Sequence, residues 1–276
     1  MAQPFPFIID GIHGDVPINM YPAADSDRRA IVTSSPGLSR LCTLPSCSEV
    51  RGLYTWEGYL WAVARRGTES VLWKVSQAGT AVEVGNFNTS FTGPVWFANN
   101  NTQLVIVDGV TGYVYTHTSG LQPILDPAFP GAAGVAYQDG YGLFIKPNSN
   151  IWFFSELWDF TNYDALDFYA KQSKPDKLVA ILSYKRQPWL FGETSTEVWY
   201  NAGGDNSSPM NPTFALDTGG RIEHGCAAPG SVSDLCGEAP VWLTNNGQLR
   251  LASGYMTQVI SNQMFERAVK RMSRIS

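Results

Sequence analysis

Five short apolar runs recur along the chain at intervals too long for a simple hairpin array and too regular for chance. They are Tyr59–Val63, Gln103–Val107, Tyr141–Ile145, Pro188–Gly192 and Pro240–Leu243, and their starts are 44, 38, 47 and 52 residues apart. Each is short and rich in β-branched and aromatic residues, so each reads as a buried strand rather than a helix. A second strand follows after a turn: Val71–Val75, Tyr113–His117, Ile151–Phe154, Glu197–Tyr200 and Gln248–Leu251. The intervening Arg66-Gly67, Asp108-Gly109, Pro147-Asn148 and Asn246-Gly247 are turn formers, and Gly and Asn among them suit a positive φ. Several units add a third strand (Ala81–Gly85, Gln122–Leu125, Thr257–Ile260) and a preceding one (Val50–Tyr54, Val95–Ala98, Gly134–Tyr137).

Four strands in every repeat of this length describe a β-propeller blade. One four-stranded sheet cannot hide both of its faces, whereas radially stacked sheets cover one another. Nine Trp, twelve Tyr and fourteen Phe supply the bulk that widening gaps between blades require. A two-sheet sandwich also yields regular short strands, but without the fourfold grouping. The fold expected is all-β: a propeller of four-stranded blades with a short C-terminal helix. Residues 1–49 form an extended N-terminal arm and first turn, and 50–276 the propeller.

Two stretches interrupt the pattern. Residues 158–177 read as a polar, aromatic-studded excursion from one blade to the next. Residues 201–226, with Gly203-Gly204, Asn206-Ser-Ser-Pro209 and Asn211-Pro212, read as a long loop. At the end, Ile260, Met264, Phe265, Ala268, Val269, Met272 and Ile275 share one helical face, with Ser261 as the N-cap. A closing strand is not obvious after the five units. The expectation is a truncated version of something longer, and the competing reading is a closed five-blade ring.

Charge narrows the functional classes. The 19 Lys and Arg stand against 24 Asp and Glu, for a net charge of −5. Proteins that grip nucleic acid carry a basic surplus, because their affinity comes largely from counterion release. The basic groups here are Arg65-Arg66, Lys185-Arg186 and the set Arg267, Lys270, Arg271, Arg274. No apolar run reaches the roughly 18 residues needed to span a bilayer, so no membrane partner is expected. The first ten residues lack a basic segment and a cleavage pattern. Cys42, Cys47, Cys226 and Cys236 therefore read as reduced thiols of a cytosolic product, and the sequons at Asn88, Asn101 and Asn206 carry no weight.

Catalysis needs convergent titratable groups. The three histidines are His13 in an extended arm, His117 at a strand end and His224 in a loop. A zinc site from His224, Cys226 and Cys236 lacks a fourth ligand. A propeller glycosidase would need two facing carboxylates. Asp159, Asp164, Asp167, Asp176, Glu193 and Glu197 are candidates, mostly in loop contexts where such residues serve turns. No nucleophile elbow, zincin, P-loop or dinucleotide fingerprint occurs. No enzyme, cofactor or metal is expected.

Specific residues point further. Ile18-Asn19-Met20-Tyr21 precedes Ser35-Pro36-Gly37-Leu38. Phe168-Tyr-Ala-Lys-Gln-Ser-Lys-Pro175-Asp176-Lys177 continues into Leu178–Leu182, Trp189–Gly192, Glu197-Val-Trp199 and Gly203. In these the chain resembles the packaged DNA stabilisation proteins, or tail accessory (hub) proteins, of short-tailed bacteriophages. That family shows an Asn-Met/Tyr arm leading to a Pro-Gly turn. It also shows an aromatic-Ala segment, Pro-Asp, a strand and a Gly-Ser/Thr-x-x-Glu strand, and its members continue with further strands. The family-motif residues are Asn19, Met20, Pro36, Gly37, Phe168, Pro175, Asp176, Gly192, Glu197, Trp199 and Gly203, all structural.

The resemblance implies a homo-oligomer, usually a hexameric ring, below the portal and its adaptor ring. Such a ring extends the DNA channel, seats a tail needle or plug and holds tailspikes or tail fibres. It sits in the virion tail after assembly in the host cytoplasm, and DNA passes without specific binding. Net acidity suits a channel in which DNA slides, since it repels phosphates over about 8–10 Å. The segment before Val50 and the 201–226 loop are the expected interface segments. Two alternatives compete: a carbohydrate-binding propeller of a tail fibre or spike, with Trp158, Tyr163 and Trp199 as platforms, and a propeller hydrolase.

Overall fold

The structure is a computed structural model that describes residues 20–24, 30–34, 37–87 and 91–272. Asn19 and Pro36, with His13, Asn88, Arg274 and Ile275, lie outside the described residues. The chain divides into two compact units, Met1–Thr43 and Leu44–Ser276. The first holds an antiparallel pair, β1 (Met20–Ala24) and β2 (Ala30–Ser34), in the register Met20↔Ser34 to Ala24↔Ala30.

The second unit holds five four-stranded antiparallel sheets, each a meander in chain order. Blade 1 is β3 (Glu49–Trp56), β4 (Tyr59–Arg66), β5 (Glu69–Val75) and β6 (Ala81–Phe87). Blade 2 is β7 (Trp96–Asn99), β8 (Gln103–Val107), β9 (Gly112–Thr116) and β10 (Gly120–Pro123). Blade 3 is β11 (Gly134–Gln138), β12 (Tyr141–Ile145), β13 (Ile151–Phe154) and β14 (Phe168–Ala170). Blade 4 is β15 (Leu178–Tyr184), β16 (Gln187–Gly192), β17 (Thr196–Asn201) and β18 (Phe214–Ile222). Blade 5 is β19 (Ser233–Asp234), β20 (Pro240–Leu243), β21 (Leu249–Ser253) and β22 (Met256–Val259). The first strands of successive blades touch in order, β3 to β7 to β11 to β15 to β19. That succession is propeller packing around a common axis.

The continuous apolar runs now have a cause. Side chains alternate across a strand, and blades 2, 3 and 4 each have a neighbouring blade on both faces. In β8, Leu104 and Ile106 pack with Trp61, Leu72 and Phe87 of blade 1. Val105 and Val107, between them in sequence, pack with Phe144 and Phe153 of blade 3. In β16, Leu190 packs with Trp152 and Phe154 of blade 3, whereas Trp189 and Phe191 pack with Trp242 of blade 5. Each fully buried side chain of this size contributes roughly 1.5–3 kcal/mol relative to exposure. The turn residues behave as their types require: Gly67 has φ +63° and Asn148 φ +54°.

Three expectations are corrected. Residues 158–177 are not simply an excursion between blades, because Phe168–Ala170 is the fourth strand of blade 3, paired Trp152↔Tyr169 with β13. Residues 201–226 are not a single loop, because Phe214–Ile222 is the fourth strand of blade 4. A break in register between Glu197 and Trp199, and the run Asp217-Thr-Gly-Gly220, hide its pattern. The C-terminal helix α1 (Gln263–Met272) is capped by Asn262, whose Oδ1 accepts from the Phe265 N–H at 2.9 Å. The Ser261 hydroxyl instead accepts from Leu249 N–H at 3.2 Å and donates to Glu266 Oε1 at 2.9 Å. No described residue of α1 is buried.

Candidate functional site

The link from blade 3 to blade 4 is the six-residue run Lys171-Gln-Ser-Lys-Pro-Asp176 with Lys177. It carries the chain from the outermost strand of one sheet to the innermost strand of the next. Backbone bonds pin both of its ends to the β12–β13 turn: Lys171 N–H to Asn150 C=O and Leu178 N–H to Ser149 C=O, each 2.9 Å. Between them, two charged side chains are drawn into the protein.

Lys171 has a side chain with 0% exposure, and Asp176 one with 10%. Lys171 Nζ contacts Asp176 Oδ1 and the Ser195 hydroxyl. Asp176 Oδ2 accepts from Thr194 N–H at 2.6 Å, Thr194 Oγ1 at 3.0 Å and Ser195 N–H at 3.2 Å. Burial works to raise the Asp176 carboxyl. The contact with Lys171 and the donors of Thr194 outweigh it and hold the group below the usual carboxylate range.

Glu197, fully buried, completes the arrangement. Its Oε1 accepts from the backbone N–H groups of Gln172 (2.8 Å) and Ser173, and its Oε2 from the Trp199 indole at 3.1 Å. Trp199 packs edge-on to Trp152 at 5.3 Å and against Tyr169 at 5.3 Å. Gly192 must be glycine here: a Cβ would lie 2.6 Å from both Asp176 Oδ2 and Lys171 Nζ.

The motif residues therefore divide. Asp176, Gly192, Glu197 and Trp199 converge on one clasp between blades 3 and 4. Pro175 lies in the same link, Phe168 is half-exposed in β14, and Gly203 follows β17 with φ +77°. Met20 and Gly37 belong to the first unit. Lys171, Thr194 and Ser195 were not singled out from the sequence. The available signal was a pair of lysines, Lys171 and Lys174, between an aromatic strand and Pro175-Asp176, of which only the first turns inward.

The other candidates stay apart. Asp159 Oδ1 accepts from Gln103 Nε2 at 3.1 Å and Thr161 N–H at 2.9 Å, tying the 155–167 segment to blade 2. Asp164 caps Leu166 N–H at 2.8 Å, and Asp167 accepts from Asn206 at 3.0 Å. Burial raises the Asp167 carboxyl. Glu193 takes part through its backbone, its N–H bonding Lys177 C=O at 3.0 Å. His117 is exposed just past β9, pairs with Glu57 at 2.7 Å and stacks on Trp56 at 5.7 Å. The Cys226 thiol is buried against Ala228 C=O at 3.1 Å, and burial pushes it up; Cys236 is exposed. Among the described residues no three His, Cys, Asp or Glu side chains come together to hold a metal. Tyr163 and Trp199 are buried, at 7% and 1% exposure, so they cannot form a platform with the exposed Trp158.

Where β3, β7, β11 and β15 meet, a cavity of about 410 Å³ opens, lined by Tyr54, Phe97, Asn99, Tyr137, Ile181 and Ser183 among others. Its lining contains neither a carboxylate nor a cationic side chain.

Five stacked four-stranded blades, joined by apolar interfaces and a buried polar clasp, define a β-propeller whose polar chemistry is used in holding blades together. The family model described as Bacteriophage P22 Gp10, beta-propeller, a phage stabilisation family, matches residues 13–274. The chain belongs to that family and is a phage DNA-stabilisation protein, a virion component. No curated protein matches the chain in sequence. Among solved structures, it is similar to a putative 6-phosphogluconolactonase from Bacteroides uniformis. That match has 11% identity and a TM-score of 0.55, over 87% of this chain and 76% of the other. It is similar to virginiamycin B lyase from Staphylococcus aureus at 11% identity and TM-score 0.55, over 89% and 78%. It also resembles the extracellular domain of a putative one component system from B. thetaiotaomicron, at 13% identity and TM-score 0.51. There it covers 79% of this chain but spans only 28% of the other. At these identities the likeness is one of fold alone.

Proposed function

We propose that this chain is a subunit of the phage tail hub. Copies assemble, as a hexamer, into a ring below the portal and its adaptor. The ring extends the DNA channel, seats the tail needle or plug that retains the genome, and holds tailspikes or tail fibres at its side. Assembly takes place in the host cytoplasm, and DNA passes without specific binding. The observation that carries this reading is the family match across the whole run of blades, from residue 13 to 274. The net charge of −5 supports a surface over which DNA slides rather than binds. Among the described residues no helix is long and apolar enough to cross a membrane.

The carbohydrate-binding alternative loses its support, since two of its three aromatic platforms are core residues. Against the hydrolase alternative, Asp159, Asp164, Asp167, Asp176 and Glu197 are each engaged in hydrogen bonds that hold loops and blades together. The test is deletion of the gene from its phage, followed by electron microscopy of the particles. Heads that package and then empty are expected. Heads that stay filled but fail to adsorb would overturn the sealing role and restore receptor binding.

A further inference from the structure

The clasp has the parts of a reaction centre as well as of a salt bridge. We propose that Lys171 and Asp176 condense to an intramolecular isopeptide bond between Lys171 Nζ and Asp176 Cγ, closing the link between blades 3 and 4 covalently. This goes beyond the tail-hub reading and does not depend on it.

Four observations carry the proposal. The amine and the carboxyl are in contact and shielded from water, with side chains 0% and 10% exposed. Fixed proximity at a site largely closed to water replaces a bimolecular encounter. The Asp176 Oδ2 atom already sits among three donors, Thr194 N–H at 2.6 Å, Thr194 Oγ1 at 3.0 Å and Ser195 N–H at 3.2 Å. Preorganised donors of this kind stabilise the oxyanion of an acyl-transfer intermediate. The Ser195 hydroxyl touches Lys171 Nζ and lies 3.4 Å from Asp176 Oδ1. A hydroxyl both donates and accepts, so it can carry protons between the nitrogen that must lose them and the oxygen that must leave. Finally, the absent Cβ of Gly192 leaves room for the two groups to meet. Glu197 is a positioning residue, anchoring the backbone of Gln172 and Ser173 next to the lysine.

The step balances without a cofactor. A proton passes from the Lys171 ammonium through Ser195 Oγ to Asp176 Oδ1; the donors on Oδ2 oppose this transfer, and the removal of two charges from a low-dielectric site offsets that cost. The amine lone pair then forms the Nζ–Cγ bond, and the carbonyl electron pair moves onto Oδ2. Collapse breaks Cγ–Oδ1, which leaves as water with a further proton from the nitrogen. One ammonium and one carboxylate become one amide and one water, with no change of oxidation state.

The test is mass spectrometry of the intact, denatured full-length chain, followed by sequencing of its tryptic peptides. The chain is expected to be lighter than its sequence mass by one water. Trypsin should fail to cut after Lys171, and the peptide running through to Lys177 should give no fragment ions between residues 171 and 176. A chain of full sequence mass, cut normally after Lys171, overturns the proposal. So does a water loss with normal cleavage at Lys171, which would mark a succinimide at Asp176. K171R should restore the full mass, and loss of water persisting in that variant also overturns it. The wild-type measurement decides the matter even where K171R fails to fold.

Discussion

Replacing Gly192 with alanine is the sharpest perturbation of the clasp, because it adds one methyl group where three polar atoms already stand. The new Cβ would meet Asp176 Oδ2 and Lys171 Nζ at 2.6 Å and the Ser195 carbonyl oxygen at 2.9 Å. The carbonyl belongs to the tight β16–β17 turn, where the Gly192 N–H donates to it at 2.8 Å and holds it in place, so the Lys171 and Asp176 side chains must give way. Overpacking a rigid site costs about 1–3 kcal/mol, and pulling apart a buried pair adds to this, up to about 3–5 kcal/mol where one charge is left unpaired. We expect G192A to lose about 3–5 kcal/mol. For a unit of this size that lowers the melting temperature by about 10 °C, since each kcal/mol is worth roughly 2–4 °C. Urea unfolding followed by tryptophan fluorescence measures it. Gly203 supplies the control, since its φ is +77° but nothing lies within 4 Å of a Cβ there. G203A should therefore lose only the left-handed backbone penalty, about 1–2 kcal/mol. Because D176A acts on the same atoms, the double variant G192A/D176A should lose less than the sum of the two. A loss below about 1 kcal/mol in G192A would refute the claim that the clasp occupies the missing side chain's space.

Two other perturbations follow from the same structure. Burial works to raise the Asp159 carboxyl, but bonds from Thr161, Gln103 and Asn162 outweigh it and hold the group below its ordinary range. Its contribution is therefore present above the unfolded value of about 3.9 and is lost as pH falls through the lower folded value. Amide exchange of residues 158–167 should accelerate selectively on acidification, and D159N should exchange fast already at neutral pH; equal rates in the two proteins would sink this reading. At the C-terminal helix, N262A should cost about 1 kcal/mol of helix stability and speed exchange of the Phe265 amide, while S261A leaves that amide protected. The reverse pattern would return the cap to Ser261.

The parts of the fold that could be read from sequence are the inner strands of the blades, buried against one neighbouring blade or two. Gln103–Val107, Tyr141–Ile145, Ile151–Phe154 and Pro240–Leu243 coincide with β8, β12, β13 and β20 to the residue. Blade-on-blade packing makes such strands apolar without interruption, and polar turns bound them on both sides. The strands that escaped are those for which that pressure is absent. β14 has three residues and a half-exposed Phe168, β19 has two exposed ones, and β18 carries Asp217, Gly219 and Gly220 at a break in register. The site followed a different logic. Asp176, Gly192, Glu197 and Trp199 stood out as a motif, yet nothing in their spacing says that a lysine five residues before Asp176 turns inward. That depends on Gly192 having no side chain and on two backbone amides of the β16–β17 turn pointing at the carboxylate.

Apolar faces hold the blades together, but a flat apolar face does not choose its neighbour, and every junction carries polar ties that do. Between blades 1 and 2, Tyr54 Oη donates to Asn99 Oδ1 at 2.7 Å. Between 2 and 3, Gln103 bonds Asp159 and accepts from Phe160 N–H at 2.8 Å. Between 3 and 4, Gln138 Nε2 donates to Arg186 C=O at 3.0 Å at one end of β16, and the Lys171 clasp lies at the other end. Between 4 and 5, Gln187 Nε2 donates to Tyr255 Oη at 2.7 Å, which in turn donates to Asp217 at 2.6 Å. A blade slipped along its neighbour by one residue would keep much of its apolar contact and lose these part-buried bonds, each costing at most about 1–3 kcal/mol where water cannot replace it. The low charge content, 16% of residues, is consistent with this division of labour: aromatic area supplies the adhesion, and a few partly buried polar groups set the order and register of the blades.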